Sequence, residues 1–110
     1  MRIWLIGAGQ AGSATLRQLR KNEEIEVIVT ADTDRPQAVR DGILSKVDFV
    51  ETVTSLNINT LARRIRPDLI LVDSTMSNLN RVSGGAVFSY SMLEEMAASS
   101  DYPCILLGSQ

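Results

Sequence analysis

The stretch Arg2-Ile3-Trp4-Leu5-Ile6-Gly7-Ala8-Gly9-Gln10-Ala11-Gly12 constrains this chain more than any other. A short apolar run ends in glycines at positions 7, 9 and 12. Good helix formers follow from Gln10 to Lys21, with apolar positions at Ala11, Ala14 and Leu19. A buried strand that turns at once into a helix needs residues without a Cβ at the corner. The pattern therefore predicts a strand over Arg2–Ile6 and a helix from Gln10, joined by a glycine loop.

The same alternation continues to the end of the chain. Ile25–Thr30 is β-branched and reads as a second strand. Asp34-Arg35-Pro36 reads as a helix start, with Asp34 as the cap and Gly42 as the stop. Val47–Val53 alternates apolar with polar and predicts a third strand. Ile58, Leu61, Ala62 and Ile65 fall on one helical face, with Asn57 or Ser55 as caps and Pro67 as the barrier to continuation.

Leu69–Val72 is an uninterrupted apolar strand closed by Asp73. Met76–Ala86 reads as a long loop, and Met76–Ser89, with Gly84 and Gly85, is a candidate switch segment. Ser91 and Glu94 suit a capping box for a helix from Met92 to Ser99. Pro103 introduces a fifth strand over Cys104–Leu107. The expected fold is α/β: a doubly wound, five-stranded parallel sheet with helices on both faces, forming one domain over residues 1–110.

Composition removes several functions. The net charge of -2 leaves no basic footprint for nucleic acid or an anionic membrane. No apolar run approaches the ~18 residues a bilayer requires. The short run Ile3–Ile6 is not a signal peptide, so a cytoplasmic location is expected. The chain has no histidine and one cysteine, so neither a zinc cluster nor an internal disulfide is available. Cys104 sits in an apolar run and reads as a small buried hydrophobe. No catalytic acid or base stands out, because Tyr90 and Lys46 are too far apart to form a local pair.

In this context the glycines point to a phosphate cradle. Gly7 supplies the turn, Gly9 lets a pyrophosphate approach, and Gly12 lets the helix lie close to the sheet. The N–H groups at the helix start, Gln10 and Ala11 among them, then face the phosphates. Asp32 lies 20 residues beyond Gly12, just past the second strand, where a carboxylate accepts hydrogen bonds from the adenosine ribose. Thr33 belongs to the same contact.

Asp32 favours NAD, while Arg35 provides for the 2′-phosphate of NADP. The nicotinamide is expected past the first and fourth strands, near Ala8, Asp73, Ser74 and Thr75. The rival reading is that the glycines only tighten a corner between strand and helix.

Gly7–Gly12, Val29-Thr30-Ala31-Asp32, Val53-Thr54-Ser55 with Leu61, and Asp68–Asp73 together resemble the N-terminal Rossmann cofactor domain of saccharopine-dehydrogenase-like NAD(P)-dependent oxidoreductases. The likeness covers residues across about two thirds of the chain. It implies a dinucleotide-binding domain serving an oxidoreductase whose substrate domain lies elsewhere, with a further domain or a homodimer as partner. The chain departs from that pattern where an acid often stands near the adenine: Thr52 holds the position, with Glu51 beside it.

The layout is also similar to the nucleotide-sensing domains of potassium transport systems, which implies a regulatory role without chemistry. Arg66–Asp73 and Tyr102–Ser109 look like part of a response-regulator receiver, with Asp73 as phosphoacceptor and Ser109 as switch hydroxyl. Gly9 and Gln10 stand where a receiver needs its magnesium-binding acids, and no lysine follows the last strand.

Overall fold

A computed structural model of the chain describes residues 1–75 and 93–108. The elements are β1 (Arg2–Ile6), α1 (Gln10–Leu19), β2 (Glu26–Ala31), α2 (Gln37–Arg40), β3 (Phe49–Val50), α3 (Ile58–Ile65), β4 (Leu69–Asp73) and β5 (Cys104–Leu107). Residues 93–99 are also helical. The five strands form one parallel sheet in the order β3-β2-β1-β4-β5. This is the doubly wound, Rossmann-like arrangement.

Successive residues of β1 face opposite sides of the sheet, and both sides are buried. Ile3 and Leu5 join Leu16 of α1, Ala38 of α2 and Leu71 of β4 in one core. Trp4 and Ile6 join Ile58, Ala62 and Ile65 of α3, Ile70 and Val72 of β4, and Leu93 and Met96 in the other. Burial on both faces explains the unbroken apolar runs of β1 and β4. Fully burying a large apolar side chain contributes about 1.5–3 kcal/mol, so these central strands dominate the packing energy.

The edges differ from expectation. β3 is two residues long instead of spanning Val47–Val53, and both Phe49 and Val50 are exposed. At its start the Asp48 N–H donates to Val29 O at 2.9 Å, and Asp48 Oδ2 accepts from the Val29 N–H at 2.7 Å. The Asp48 carboxylate thus holds a ladder position that a further strand residue would have filled.

The helix ends also differ from expectation. α2 begins after Pro36, with no side-chain cap, so Asp34 does not cap it. Gly42 ends that segment in the left-handed conformation, with φ 77°. Asn57 precedes α3, but its Oδ1 accepts from the Thr54 N–H at 2.7 Å and does not cap the helix. Arg66 closes α3 at φ 56°, which turns the chain before Pro67. The expected loop Met76–Ala86, the Met76–Ser89 switch, Tyr90, the capping residue Ser91, Met92 and Ser109 lie outside the described residues.

Candidate nucleotide site

The glycine loop lies at the carboxyl ends of β1 and β4, where the strand order reverses. In this fold class that reversal opens the ligand crevice. Gly7 leaves β1 at φ 89°, a conformation L side chains rarely adopt, and its N–H donates to Thr30 O at 2.7 Å. Ala8 O accepts from the Ala38 N–H at 3.1 Å, which ties α2 to the loop. α1 then starts at Gln10.

The inner side of the loop is filled by the chain itself. Asp73, the last residue of β4, is 0% exposed. Its Oδ2 accepts from the N–H groups of Gly9 and Gly12, each at 2.7 Å. Its Oδ1 accepts from the Thr75 N–H at 2.7 Å and from the Thr75 hydroxyl at 2.5 Å. Thr75 Oγ1 accepts in turn from the Ala11 N–H at 2.9 Å. Ser74 points elsewhere: its hydroxyl and its N–H both donate to Leu107 O.

These bonds change what the expected site residues do. Gly9, Ala11 and Gly12 spend their N–H groups on Asp73 and Thr75. An internal carboxylate takes the place at the positive end of α1 that the sequence pattern offers to a pyrophosphate. Asp73, buried beneath the loop, is not a surface for nicotinamide, and it is closed to phosphoryl transfer. Thr75 couples Asp73 to α1, and Ser74 holds the end of β5. Among the described residues, the N–H groups of Ala8 and Gln10 have no hydrogen-bond partner, and Gln10 is the exposed one.

Gly12 shows why glycine stands there. A Cβ on it would lie 2.7 Å from Asp73 Oδ2 and 2.8 Å from Gly7 O. The close approach of helix to strand is therefore real, and its partner is Asp73. Gly108 belongs to the same junction and is not signalled by the motif. At φ 79° its added Cβ would meet Thr75 Cγ2 at 2.7 Å. A glycine directly after the last strand is the one available clue.

The outer side of the loop forms a second region. Gly7, Ala8, Gly9, Ala31, Asp32, Thr33, Pro36, Gln37 and Arg40 line a groove between the loop and the end of β2. Asp32 and Thr33 are exposed there. Arg35 is exposed but does not line the groove, whereas Arg40 does. The groove encloses only about 20 Å³, so a ligand would lie along it without being enclosed.

Glu51 and Thr52 are exposed, and Glu51 lines a different groove, bounded by α3. Cys104 is half-buried, and burial pushes its thiol up to about 11, as suits an unreactive packing residue. The described residues contain no His, Cys, Asp or Glu cluster able to hold a metal ion.

The residues present fit the two ends of a dinucleotide unequally. The groove beside Asp32 offers an exposed carboxylate and the Thr33 side chain at the end of β2. The pyrophosphate position retains the Gln10 N–H as donor, with the inner donors already engaged.

The fold and site define a Rossmann-like α/β domain with a glycine-rich first turn. Comparison with known proteins finds no matching family model, no matching curated protein and no matching solved structure. No helix among the described residues is long and apolar enough to cross a membrane.

Proposed function

We propose that the chain is a nucleotide-binding domain that lays the adenosine half of NAD, or of NADP, in the groove between the glycine loop and the end of β2. One observation carries this reading: the fold brings Gly7, Gly9, Asp32, Thr33 and Arg40 together along one groove at the carboxyl ends of β1 and β2. Asp32 accepts hydrogen bonds from the ribose hydroxyls, and Gly9 leaves room above the loop. The Gln10 N–H faces the phosphates. Arg40, rather than Arg35, offers the cation for a 2′-phosphate.

The domain serves as the cofactor module of a cytoplasmic oxidoreductase, in keeping with the resemblance to saccharopine-dehydrogenase-like enzymes. The bound nicotinamide would supply hydride transfer. This chain's own residues bind and orient the cofactor, and the substrate site lies outside the groove.

The Asp73 clasp supports a second reading, a regulatory sensor of adenine nucleotides similar to those of potassium transport systems. With the inner N–H groups engaged, most recognition falls on the adenosine end, and AMP then carries most of the contacts that NAD makes.

Calorimetric titration with NAD(H), NADP(H) and AMP tests both. The cofactor reading expects NAD(H) to bind more tightly than AMP, Gly9→Val to abolish binding, and Asp32→Ala to weaken it. Loss of a hydrogen-bonded carboxylate is worth about 1.5–3 kcal/mol, or roughly 10–100-fold. Equal binding of AMP and NAD(H) moves the conclusion to the sensor. Absence of all binding leaves the glycines as a structural corner.

A further inference from the structure

A groove of about 320 Å³ lies away from the glycine loop. It follows from the topology. α3 and the helical residues 93–99 pack on Trp4, Ile6, Ile70 and Val72, over the middle of the sheet. α1 and α2 cover the opposite face. Among the described residues, the β2–β3 part of the α3 side is therefore left uncovered, and Trp4, Ile28, Leu61 and Phe49 line the groove there.

The edge beside this groove is apolar. β3 pairs with β2 alone among the described residues. Phe49 is 45% exposed, Val50 53% and Leu56 93%. An exposed strand edge carrying large apolar side chains is a template for pairing with another chain.

The charges on the rim say which chain. Arg2 and Glu26 bind each other at 2.8 Å. Glu51, just past β3, and Arg64, on α3, stand on opposite walls, and both are exposed. Neither side chain has a hydrogen-bond or ion-pair partner among the described residues. A partner of uniform charge would leave one of the two uncompensated beside a desolvated apolar surface. A two-fold contact that sets Glu51 of each copy opposite Arg64 of the other satisfies both at once.

We infer that this groove and the β3 edge form a self-association surface whose occupant is a second copy of this chain, with Phe49 near the two-fold axis and reciprocal Glu51–Arg64 pairs at the rim. The inference stands on the α3 side of the sheet and is independent of nucleotide binding.

Sedimentation equilibrium of the full chain tests it, with Glu51→Arg, Arg64→Glu and a mixture of the two variants. The wild type is expected to show a monomer–dimer equilibrium. Each single variant is expected to weaken it by about tenfold or more, because both rim pairs become repulsive. In the mixture, the introduced arginine of one variant faces the introduced glutamate of the other, and the native Arg64 of the first faces the native Glu51 of the second. A heterodimer of near wild-type affinity is therefore expected, and its recovery also shows that both variants are folded. A wild type that stays monomeric overturns the inference. So do single variants that dimerise as well as the wild type, or a mixture that stays monomeric. Binding of a small zwitterion to a monomeric wild type would assign the groove to a ligand instead.

Discussion

Asp73 Oδ2 lies 2.7 Å from the backbone nitrogen of Gly12, at the point where α1 crosses the end of β4. The two residues are 61 positions apart in the chain. Their contact turns a glycine-rich loop into a clasp, with the carboxylate of the fourth strand gripping the first turn of the first helix. The crevice at the strand reversal is thereby filled from within, and the open groove is displaced toward β2.

Gly12→Ala opposes this contact directly. Its methyl group would meet the Asp73 carboxylate and the Gly7 carbonyl at distances real Cβ atoms do not tolerate. The Gly7 carbonyl is backbone and cannot swing aside. Overpacking of this kind costs about 1–3 kcal/mol. Alanine returns up to about 1 kcal/mol of helix propensity. A net loss of up to about 2 kcal/mol is expected in urea unfolding, with the slope against denaturant unchanged.

Asp73→Asn preserves the shape of the side chain and removes half of its acceptors. If the amide oxygen takes the Gly9 and Gly12 N–H groups, the amide nitrogen faces the Thr75 N–H, donor against donor. Leaving a buried donor unsatisfied costs about 1–3 kcal/mol. The variant is expected to lose about that much stability by urea unfolding. Hydrogen exchange should accelerate most at the amides of Thr75, whose acceptor is lost, and Ala11, whose bond runs through Thr75, with smaller increases at Gly9 and Gly12, whose acceptor is no longer charged. Unchanged protection there would mean that Asp73 does not hold the loop.

The central strands β1 and β4 are legible in the sequence because burial on both faces makes them plain apolar runs: β1 has the expected limits and β4 gains only Asp73, while the edge strand β5, introduced by Pro103, also keeps its expected limits. β3 is shorter than its pattern predicts because alternation over Val47–Val53 cannot show that an edge strand lacks a second neighbour. Asp34 has the local chemistry of a cap, but α2 starts three residues later, after Pro36. Asp32 and the loop glycines are legible as a groove because their spacing is local to one β-α-β unit. The role of Asp73 is not, since nothing near residue 73 reports which amides, 64 and 61 positions earlier, will meet its carboxylate. The close approach assigned to Gly12 is correct, although the atom that approaches belongs to the chain.

Cys104 gives the molecule a pH-dependent contribution of known sign. Burial raises its thiol from an ordinary 9.0 to about 11, so the folded state favours the neutral form. A group with a raised folded pKa contributes stability below its unfolded pKa and loses it as pH rises through the folded value. Stability attributable to Cys104 should therefore be intact at neutral pH and decline between about pH 9 and 11. Comparing urea unfolding of wild type and Cys104→Ala across that range isolates the effect from lysine and tyrosine titration. The difference between the two proteins should shrink as pH rises. A constant difference would show that the thiol is not desolvated in the fold.

Trp4 and Thr30 form a buried polar contact within the sheet. The indole Nε1–H donates to Thr30 Oγ1 at 2.9 Å, and the two residues are 0% and 1% exposed. They are adjacent because β1 and β2 run parallel, with Trp4 opposite Ile28 and Thr30 two residues further along β2. Thr30→Val keeps the volume and removes the acceptor, stranding the indole N–H where water cannot reach it. That should cost about 1–3 kcal/mol. Trp4→Phe removes the donor and part of the packing, and Phe has no N–H to strand. The double variant should therefore be less destabilised than the sum of the two single variants, by about 0.5–3 kcal/mol in a double-mutant cycle. Strict additivity would mean that the hydrogen bond contributes nothing and that only side-chain volume matters at this position. Trp4 is the sole tryptophan, so its fluorescence follows unfolding in Thr30→Val and wild type alike. The variants that lack it are read by far-ultraviolet circular dichroism.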